Sequence, residues 1–352
     1  MSYRDSYIEV DLDAIYHNIQ TIQKKANKAF FAVIKANGYG LGDEEMAKIA
    51  IEAGAEYLCV SSLDEALSLR KKGICFPILI LGYVDASYLS ICKEHQLTLT
   101  TTSLEWVNQI HAEAKDLLIH LKVDTGMNRI GLKNVEEVKQ ALNLLREANI
   151  EGIYTHYACS DQVENKLNKM QYDSFKSIVE AVDYTFKFIH TSNSDAAISF
   201  KDEITNAVRV GIGMIGYSTD SNDLLPSVAL KSKVIHCHQI KKGQSVSYSA
   251  HYTAEQDTWV LTLPIGYADG WIRQNEGRKV YVGQEYGEIV GAICMDQMMV
   301  RVSQPYPLLE EVELFGPHIS IQSVAKDLNT ITYEILTLLS DRLTKKYIRN
   351  HQ

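Results

Sequence analysis

Residues 77–101 read Pro77-Ile-Leu-Ile-Leu-Gly-Tyr-Val-Asp-Ala-Ser-Tyr-Leu-Ser-Ile-Cys-Lys-Glu-His-Gln-Leu-Thr-Leu-Thr-Thr101. Pro77–Gly82 is a short apolar run of strand character. Asp85–His95 spaces its apolar residues by three and four, and Leu97–Thr101 returns to strand character. Strand, helix, strand is the repeating unit of a parallel sheet. The same alternation extends outward in both directions. Upstream lie the strand runs Phe31–Lys35 and Tyr57–Val60, and downstream lie Leu117–Val123, Gly152–Tyr157, Phe186–Thr191 and Ala207–Ile215. Between them Asp43–Ala53, Leu63–Lys72, Leu104–Ala114, Val135–Ala148 and Asn165–Val182 carry helical periodicity, and Gly54 and Gly73 are good helix stops. The segment Ser194–Ile204 has room only for a small helix. Eight strands alternating with helices predict a closed (β/α)8 barrel of the TIM type rather than a doubly wound sheet.

The texture changes near Ser227. Val228–Gln239, Trp259–Pro264, Lys279–Val282, Glu288–Ile293 and Met298–Val302 read as strands separated by turns, and helical pattern returns only at Ile321–Asp327 and Ile331–Leu339. The expected organisation is an N-terminal strand in residues 1–12 that pairs with the C-terminal domain, a barrel over 13–227, and a mostly β domain over 228–352.

The chain has 352 residues, with 35 Lys and Arg against 44 Asp and Glu for a formal charge of −9. That balance argues against a nucleic-acid partner, whose phosphates call for clustered cations. No apolar stretch approaches the ~20 residues that span a bilayer, and the first residues lack the apolar core of a signal peptide. Cys59, Cys75, Cys92, Cys159, Cys237 and Cys294 are scattered with no C-x-x-C pair, which reads as reduced thiols without zinc or a disulfide framework. The expectation is a cytoplasmic protein with no membrane segment in this chain. His236 and His238 read as surface strand histidines. Tyrosine is over-represented, at 20 against 8 Phe and 3 Trp.

Barrel enzymes carry their chemistry at the C-terminal ends of strands. Lys35 closes the first strand in Phe31-Ala-Val-Ile-Lys-Ala-Asn-Gly-Tyr-Gly40. Burying an ammonium is expensive, and desolvation makes the amine a better nucleophile, so both a structural and a catalytic lysine fit this position. Arg129 follows the fifth strand in Lys122-Val-Asp-Thr-Gly-Met-Asn-Arg-Ile-Gly131. His156 ends the sixth, Asn193 and Ser194 end the seventh, and Arg209 lies on the eighth in Val208-Arg-Val-Gly-Ile-Gly213. A lone strand histidine is more often a core residue, but polar groups at successive strand ends form a set. Ser194 with the Gly211–Gly213 amides would make a phosphate nest where barrels usually hold one.

These motifs resemble the alanine racemase family, whose members use pyridoxal 5′-phosphate. The resemblance runs from Glu9-Val-Asp-Leu12 to Tyr333-Glu334 and includes Val246-Ser-Tyr-Ser-Ala-His-Tyr252, Leu263-Pro-Ile-Gly-Tyr-Ala-Asp-Gly270 and Cys294-Met-Asp-Gln297. It implies that Lys35 bonds the cofactor and serves as one catalytic base, and that Tyr248 of a second copy in a homodimer serves as the opposite base. Arg209 would face the pyridine nitrogen beside His156. Arg129 would hold the cofactor phenol and the substrate carboxylate, next to a Lys122 that is carbamylated in many relatives. Tyr39, Ser194, Gly211 and Ile212 match the family's phosphate contacts, with Asn193 adjoining them on the cofactor side. Tyr267 and Met295 match residues that line the substrate from the partner.

Two positions depart from the family pattern. Asp341 stands where most members have a tyrosine eight residues after the equivalent of Tyr333, and Ala292 stands where an arginine is usual; Arg273 and Asp161 are retained. Asp341 enlarges the pocket, offers an acceptor for a substrate hydroxyl, and would repel a phosphate. It makes the chain resemble the racemase domain of membrane-bound serine racemases linked to vancomycin resistance, which adds, as a secondary expectation, the cytoplasmic domain of a longer membrane-anchored protein. The resulting expectation is a racemase of serine and alanine that supplies D-amino acids for cell-wall precursors, with a dedicated alanine racemase as the alternative. A fold-related pyridoxal-phosphate decarboxylase and a non-enzymatic carrier are the other classes. The decarboxylases share the barrel-plus-β-domain plan, and Arg209 and Tyr248 speak against them; the second domain speaks against the carrier.

Overall fold

The structure is a computed structural model that describes residues 4–218 and 222–349. The chain divides into two compact units. One comprises Ala14–Gly38 and Gly42–Leu225; the other takes the chain start up to Asp13, Tyr39–Leu41, and everything from Pro226 onward.

Strand β1 (Tyr7–Asp11) belongs to the second unit, and the first unit is a closed barrel of eight strands. They are β2 (Ala29–Val33), β3 (Tyr57–Val60), β4 (Ile78–Ile80), β5 (Leu97–Thr101), β6 (Leu118–Lys122), β7 (Asn149–Tyr154), β8 (Phe188–His190) and β9 (Ala207–Val210). All neighbours are parallel, and β2 closes the ring on β9 with Ala29 opposite Ala207. Strands buried on both faces must be apolar throughout, which is why their sequences read as unbroken runs rather than alternations. The interior is filled by rings: Phe31, Tyr57, His120, Phe188 and His190 approach one another with centroids 4.9–6.2 Å apart.

Three local features depart from the sequence reading. A helix over Leu12–Ala26 precedes the barrel, burying Ile15, Ile19 and Ile22 along one stripe; Asn18 ties it to Met214 and Leu225 by side-chain hydrogen bonds of 2.7–3.1 Å. Lys35 lies past its strand and opens a left-handed turn in which Ala36, Asn37, Gly38 and Tyr39 all have φ between 54° and 62°. The segment after β9 is a single 3-10 turn, Ile212–Ile215.

The second unit is built on a nine-stranded sheet. Beyond β1 its strands are β10 (Val228–Lys233), β11 (His236–Ile240), β14 (Thr258–Leu263), β15 (Lys279–Val282), β16 (Glu285–Ile289), β17 (Met298–Val302), β18 (Glu311–Phe315) and β19 (Thr344–Ile348). A separate hairpin pairs β12 (Ser245–Val246) with β13 (Tyr252–Thr253). The sheet order is β11-β14-β17-β16-β15-β18-β10-β1-β19, so β1 lies between antiparallel β10 and parallel β19. The run read as one strand over Val228–Gln239 is therefore two, and β18 and β19 carry no clear signal because each mixes charge into a short strand. Helices Ile321–Asp327 and Thr332–Leu338 complete the unit. His236 and His238 stack with centroids 4.7 Å apart on the edge strand β11. Among the described residues no helix is long and apolar enough to cross a membrane.

Gly270 marks the tightest backbone approach at the Tyr267 turn of the second unit. Its φ is +92°, and a Cβ there would sit 2.2 Å from the Leu338 carbonyl oxygen. Gly270→Ala is expected to destabilise this unit by more than ~2 kcal/mol. Urea unfolding followed by circular dichroism checks this, and an unchanged midpoint would show that the turn relaxes.

Candidate active site

Parallel strands bring all their C-terminal ends to one mouth of the barrel, where the first unit gathers its polar residues. The lysine turn is shaped by its neighbours. Glu65 accepts from the Ala36 N–H at 2.7 Å and the Ser61 N–H at 2.6 Å, and the Asn37 side chain accepts from the Asp43 N–H at 3.0 Å. These bonds offset the left-handed backbone, which costs about 1–3 kcal/mol at each non-glycine residue. Lys35 keeps solvent access, yet partial desolvation and the charge of Arg129 hold its amine below the ordinary lysine range, with Glu65 opposing them.

Lys122 ends β6 and is buried. Its Nζ donates to the Val123 carbonyl at 2.7 Å and lies 5.5 Å from the Tyr154 ring centre. Burial, then the charge of Arg209, lowers its pKa to about 7 against the pull of Asp124. The loop that follows is organised by Asp124, which accepts from the Gly126 and Asn128 N–H groups at 3.1 and 2.9 Å and pairs with Lys133 at 2.6 Å. Arg129 is exposed on this loop and acts on Lys35, Lys122 and His156 through its charge.

Arg209 on β9 is only 4% exposed. The two hydrogens of Nη2 are shared among three acceptors, the Thr155 carbonyl at 2.9 Å, the Thr191 carbonyl at 3.0 Å and His156 Nδ1 at 3.0 Å; Nη1 donates to His190 Nδ1 at 2.7 Å. The guanidinium can only donate, so both imidazoles accept and are neutral. Burial, followed by the charge of Arg209, pushes both histidines well below the usual range. His190 and Tyr154 stack at 4.6 Å, and Arg209 lies over the Tyr154 ring at 4.8 Å. Sequence reasoning assigned no role to His190 or Tyr154. The available signal was their inward register on β7 and β8, beside the polar strand ends.

The phosphate-nest residues also converge. Ser194 Oγ accepts from the Gly211 and Gly213 N–H groups at 3.2 and 3.1 Å. Asn193 caps the short helix Ser194–Ser199 by accepting from the Ala196 N–H, and donates to Ser160 Oγ at 2.6 Å. Ile212 is buried beside them.

In the second unit, Tyr248 sits on a turn with positive φ at Ser247, Ser249 and Ala250, and it is 72% exposed. Ser247 Oγ donates to the Ala292 carbonyl at 2.5 Å and lies 3.5 Å from Cys294 Sγ. The backbone around Cys294 holds the turn of Tyr267: the Tyr267 N–H donates to the Cys294 carbonyl, and the Ala268 N–H to that of Met295. Tyr248, Tyr267 and Met295 thus converge on one region, all well exposed. Buried Asp269 anchors the same turn through Arg4, at 2.5 Å, a tie no motif revealed. Tyr39 is buried with its ring 5.9 Å from that of Tyr333. Asp341 follows helix Thr332–Leu338 and pairs with Lys345 at 2.9 Å, so part of its charge is already engaged.

Family models match almost the whole chain: the alanine racemase N-terminal domain over residues 10–219 and the alanine racemase C-terminal domain over residues 227–347. Alanine racemase 1 of Bacillus subtilis (strain 168) is 42% identical over 366 residues, covering 99% of this chain and 94% of that protein. The crystal structure of alanine racemase from E. faecalis superposes with a TM-score of 0.94 at 36% identity, over 98% of this chain and 99% of that one. The histidine racemase from Leuconostoc mesenteroides subsp. sake NBRC 102480 superposes with a TM-score of 0.91 at 30% identity, over 99% of each chain. The chain belongs to the alanine racemase family, a family of pyridoxal-phosphate-dependent amino-acid racemases.

Proposed function

We propose that this protein interconverts L- and D-alanine by two-sided proton transfer, with pyridoxal phosphate held at the barrel mouth and Tyr248 supplied by a second copy of the chain. The observation that carries the reading is the barrel-mouth cation set of Lys35, Lys122, Arg129 and Arg209, joined by neutral His156. The donor chemistry fits pyridoxal phosphate. The Ser194 hydroxyl, which accepts from the Gly211 and Gly213 amides and can donate its own hydrogen, suits a phosphate, the cations suit the charges of a dianion and a substrate carboxylate, and the lowered Lys35 amine suits attack on an aldehyde. When bound, the cofactor delocalises the electron pair left on the substrate α-carbon as its proton departs.

The protein residues supply the rest. Lys35 Nζ takes or returns the α-proton on one face of the substrate, and Tyr248 Oη of the partner subunit does so on the other. Two bases on opposite faces invert the centre without turning the substrate over. Arg129 orients the substrate carboxylate. Arg209 stays protonated, so it offers a fixed positive charge and no proton to the ring nitrogen. A weaker electron sink follows, with fewer side reactions. The exposure of Tyr248, Tyr267 and Met295 supports a homodimer in which these residues are covered. D-Alanine production would feed cell-wall precursor synthesis.

The activities of the relatives favour alanine over a paired serine and alanine specificity. Asp341 is the observation that supports serine as an additional substrate, and its pairing with Lys345 weakens both the offered acceptor and the repulsion of a phosphate.

Incubation with L-alanine in D2O is expected to give D-alanine with deuterium at Cα and no carbon dioxide. Lys35→Ala should abolish the exchange, and Tyr248→Phe should lower kcat by roughly 10²–10⁴-fold; near-native turnover in Tyr248→Phe would assign the second proton elsewhere. Asp341→Tyr should lower kcat/KM for serine relative to alanine, and an unchanged ratio rules out a role for Asp341 in substrate choice.

Lys122 also gives stability a pH dependence. Below about pH 7 it is charged in the folded and unfolded states alike, and the folded state bears the full cost of burying that charge. Between about 7 and about 10.5 the unfolded chain binds the proton that the folded one has lost, so stability rises with pH. In carbon dioxide-free buffer, the cofactor-stripped Lys122→Met variant should melt several degrees above wild type near pH 6, with the gap closing towards pH 10. A gap that is constant with pH would show that Lys122 does not titrate in this range.

A further inference from the structure

Below Arg209 the barrel core contains a second histidine that the racemase reading leaves without a role. His120 and His190 are both fully buried. Because Arg209 donates to His190 Nδ1, the His190 proton resides on Nε2, which lies 2.9 Å from His120 Nδ1 and donates to it. The His120 proton therefore resides on its own Nε2. That buried atom has no hydrogen-bond partner among the described residues.

The backbone is shaped around this ring. The register of β6 against β7 shifts between Ile119 and His120. Opposite it stands Gly152, where a Cβ would lie 2.6 Å from His120 Nδ1. The surrounding core positions hold Phe31, Tyr57 and Phe188. A further apolar ring would fill the space without leaving a buried donor unmade, which costs about 1–3 kcal/mol. Filling the core does not account for a histidine here.

We infer that His120 is a positioning residue for the reaction: by accepting the His190 Nε2 hydrogen it holds His190 in the tautomer that accepts from Arg209, and so fixes the orientation of the guanidinium. The inference rests on the reading above, in which Arg209 serves the cofactor ring. A carboxylate in the place of His190 would share the charge of Arg209, whereas a neutral imidazole takes the hydrogen and leaves the charge whole. With the other tautomer two N–H donors would face each other at 2.7 Å, and Arg209 would have to move. His120 does for His190 what an oriented acceptor does for a metal-bound or catalytic histidine. Burial, Arg209 and Lys187 push His120 down to about 3; burial, Arg209, His120 and Lys122 push His190 down as well, so both rings stay neutral.

The test uses the holoenzyme labelled with ¹⁵N-histidine, read by NMR between about pH 6 and about pH 9. Wild type should show His190 with Nδ1 bare and Nε2 protonated throughout, and a protonated Nδ1 on His190 overturns the inference. His120→Leu should retain the KM for alanine and the cofactor affinity, lose roughly ten-fold in kcat, and show mixed His190 tautomers. His120→Asn, whose Oδ1 can accept the same hydrogen, should recover most of kcat and the single tautomer. A His120→Leu enzyme identical to wild type in kcat and in its His190 resonances also overturns it. If His120→Leu fails to fold, His120→Phe, another variant without an acceptor, takes its place with the same two outcomes. Absence of racemisation in wild type would instead defeat the racemase reading, whatever the tautomer.

Discussion

A charged guanidinium enclosed in a dry barrel sets the terms for everything around Arg209. Its hydrogens need acceptors, and a carboxylate among them would cancel its charge. The chain supplies neutral acceptors instead: the carbonyls of Thr155 and Thr191 and the imidazoles of His156 and His190. Each of these lies at the C-terminal end of β7 or β8, so the geometry of two strand ends follows from satisfying one side chain. The uncompensated charge then propagates. Added to burial, the larger cause, it lowers Lys122 and keeps His156 and His190 neutral, and it leaves the barrel mouth with an excess of positive charge that suits an anionic ligand.

The second unit solves a different problem. A tyrosine as exposed as Tyr248 is not held by packing, so the backbone holds it. Three residues with positive φ, Ser247, Ser249 and Ala250, flank Tyr248, and Ser247 is tied to Ala292 and contacts Cys294. The same Cys294–Met295 segment supports Tyr267, whose turn is anchored by buried Asp269 and Arg4. A rigid exposed patch is what a shared site between two copies would require.

The barrel was legible because parallel buried strands read as continuous apolar runs, and all eight stand out. The helix Leu12–Ala26 keeps Ile15, Ile19 and Ile22 at helical spacing, but the strand-like residues that lead directly into it mask its start. Strand β19 is hidden because the adjacent Lys345 and Lys346 break any period-two pattern, and β18 because its alternation of Glu311, Val312, Glu313 and Leu314 is too short to stand out; on the sheet Glu311 meets Tyr7 and Lys231. At the mouth, Lys35, Arg129, His156, Ser194 and Arg209 were recognisable as polar groups closing apolar runs. His120 and His190 were not, since a histidine inside a strand looks the same whether it fills space or aligns a neighbour. Only the hydrogen-bond directions separate the two cases. The pairing of Asp341 with Lys345 was equally invisible, because it depends on how the chain turns after Leu338.

The missing side chain at Gly152 has an evolutionary corollary. Its empty space is occupied by the His120 ring, so neither position can drift alone. A lineage that acquires even a methyl group at 152 must first give up the imidazole at 120, and one that has lost the imidazole has no reason to keep glycine. The two sites should therefore change as a pair across the family, with glycine confined to the branches that retain the histidine.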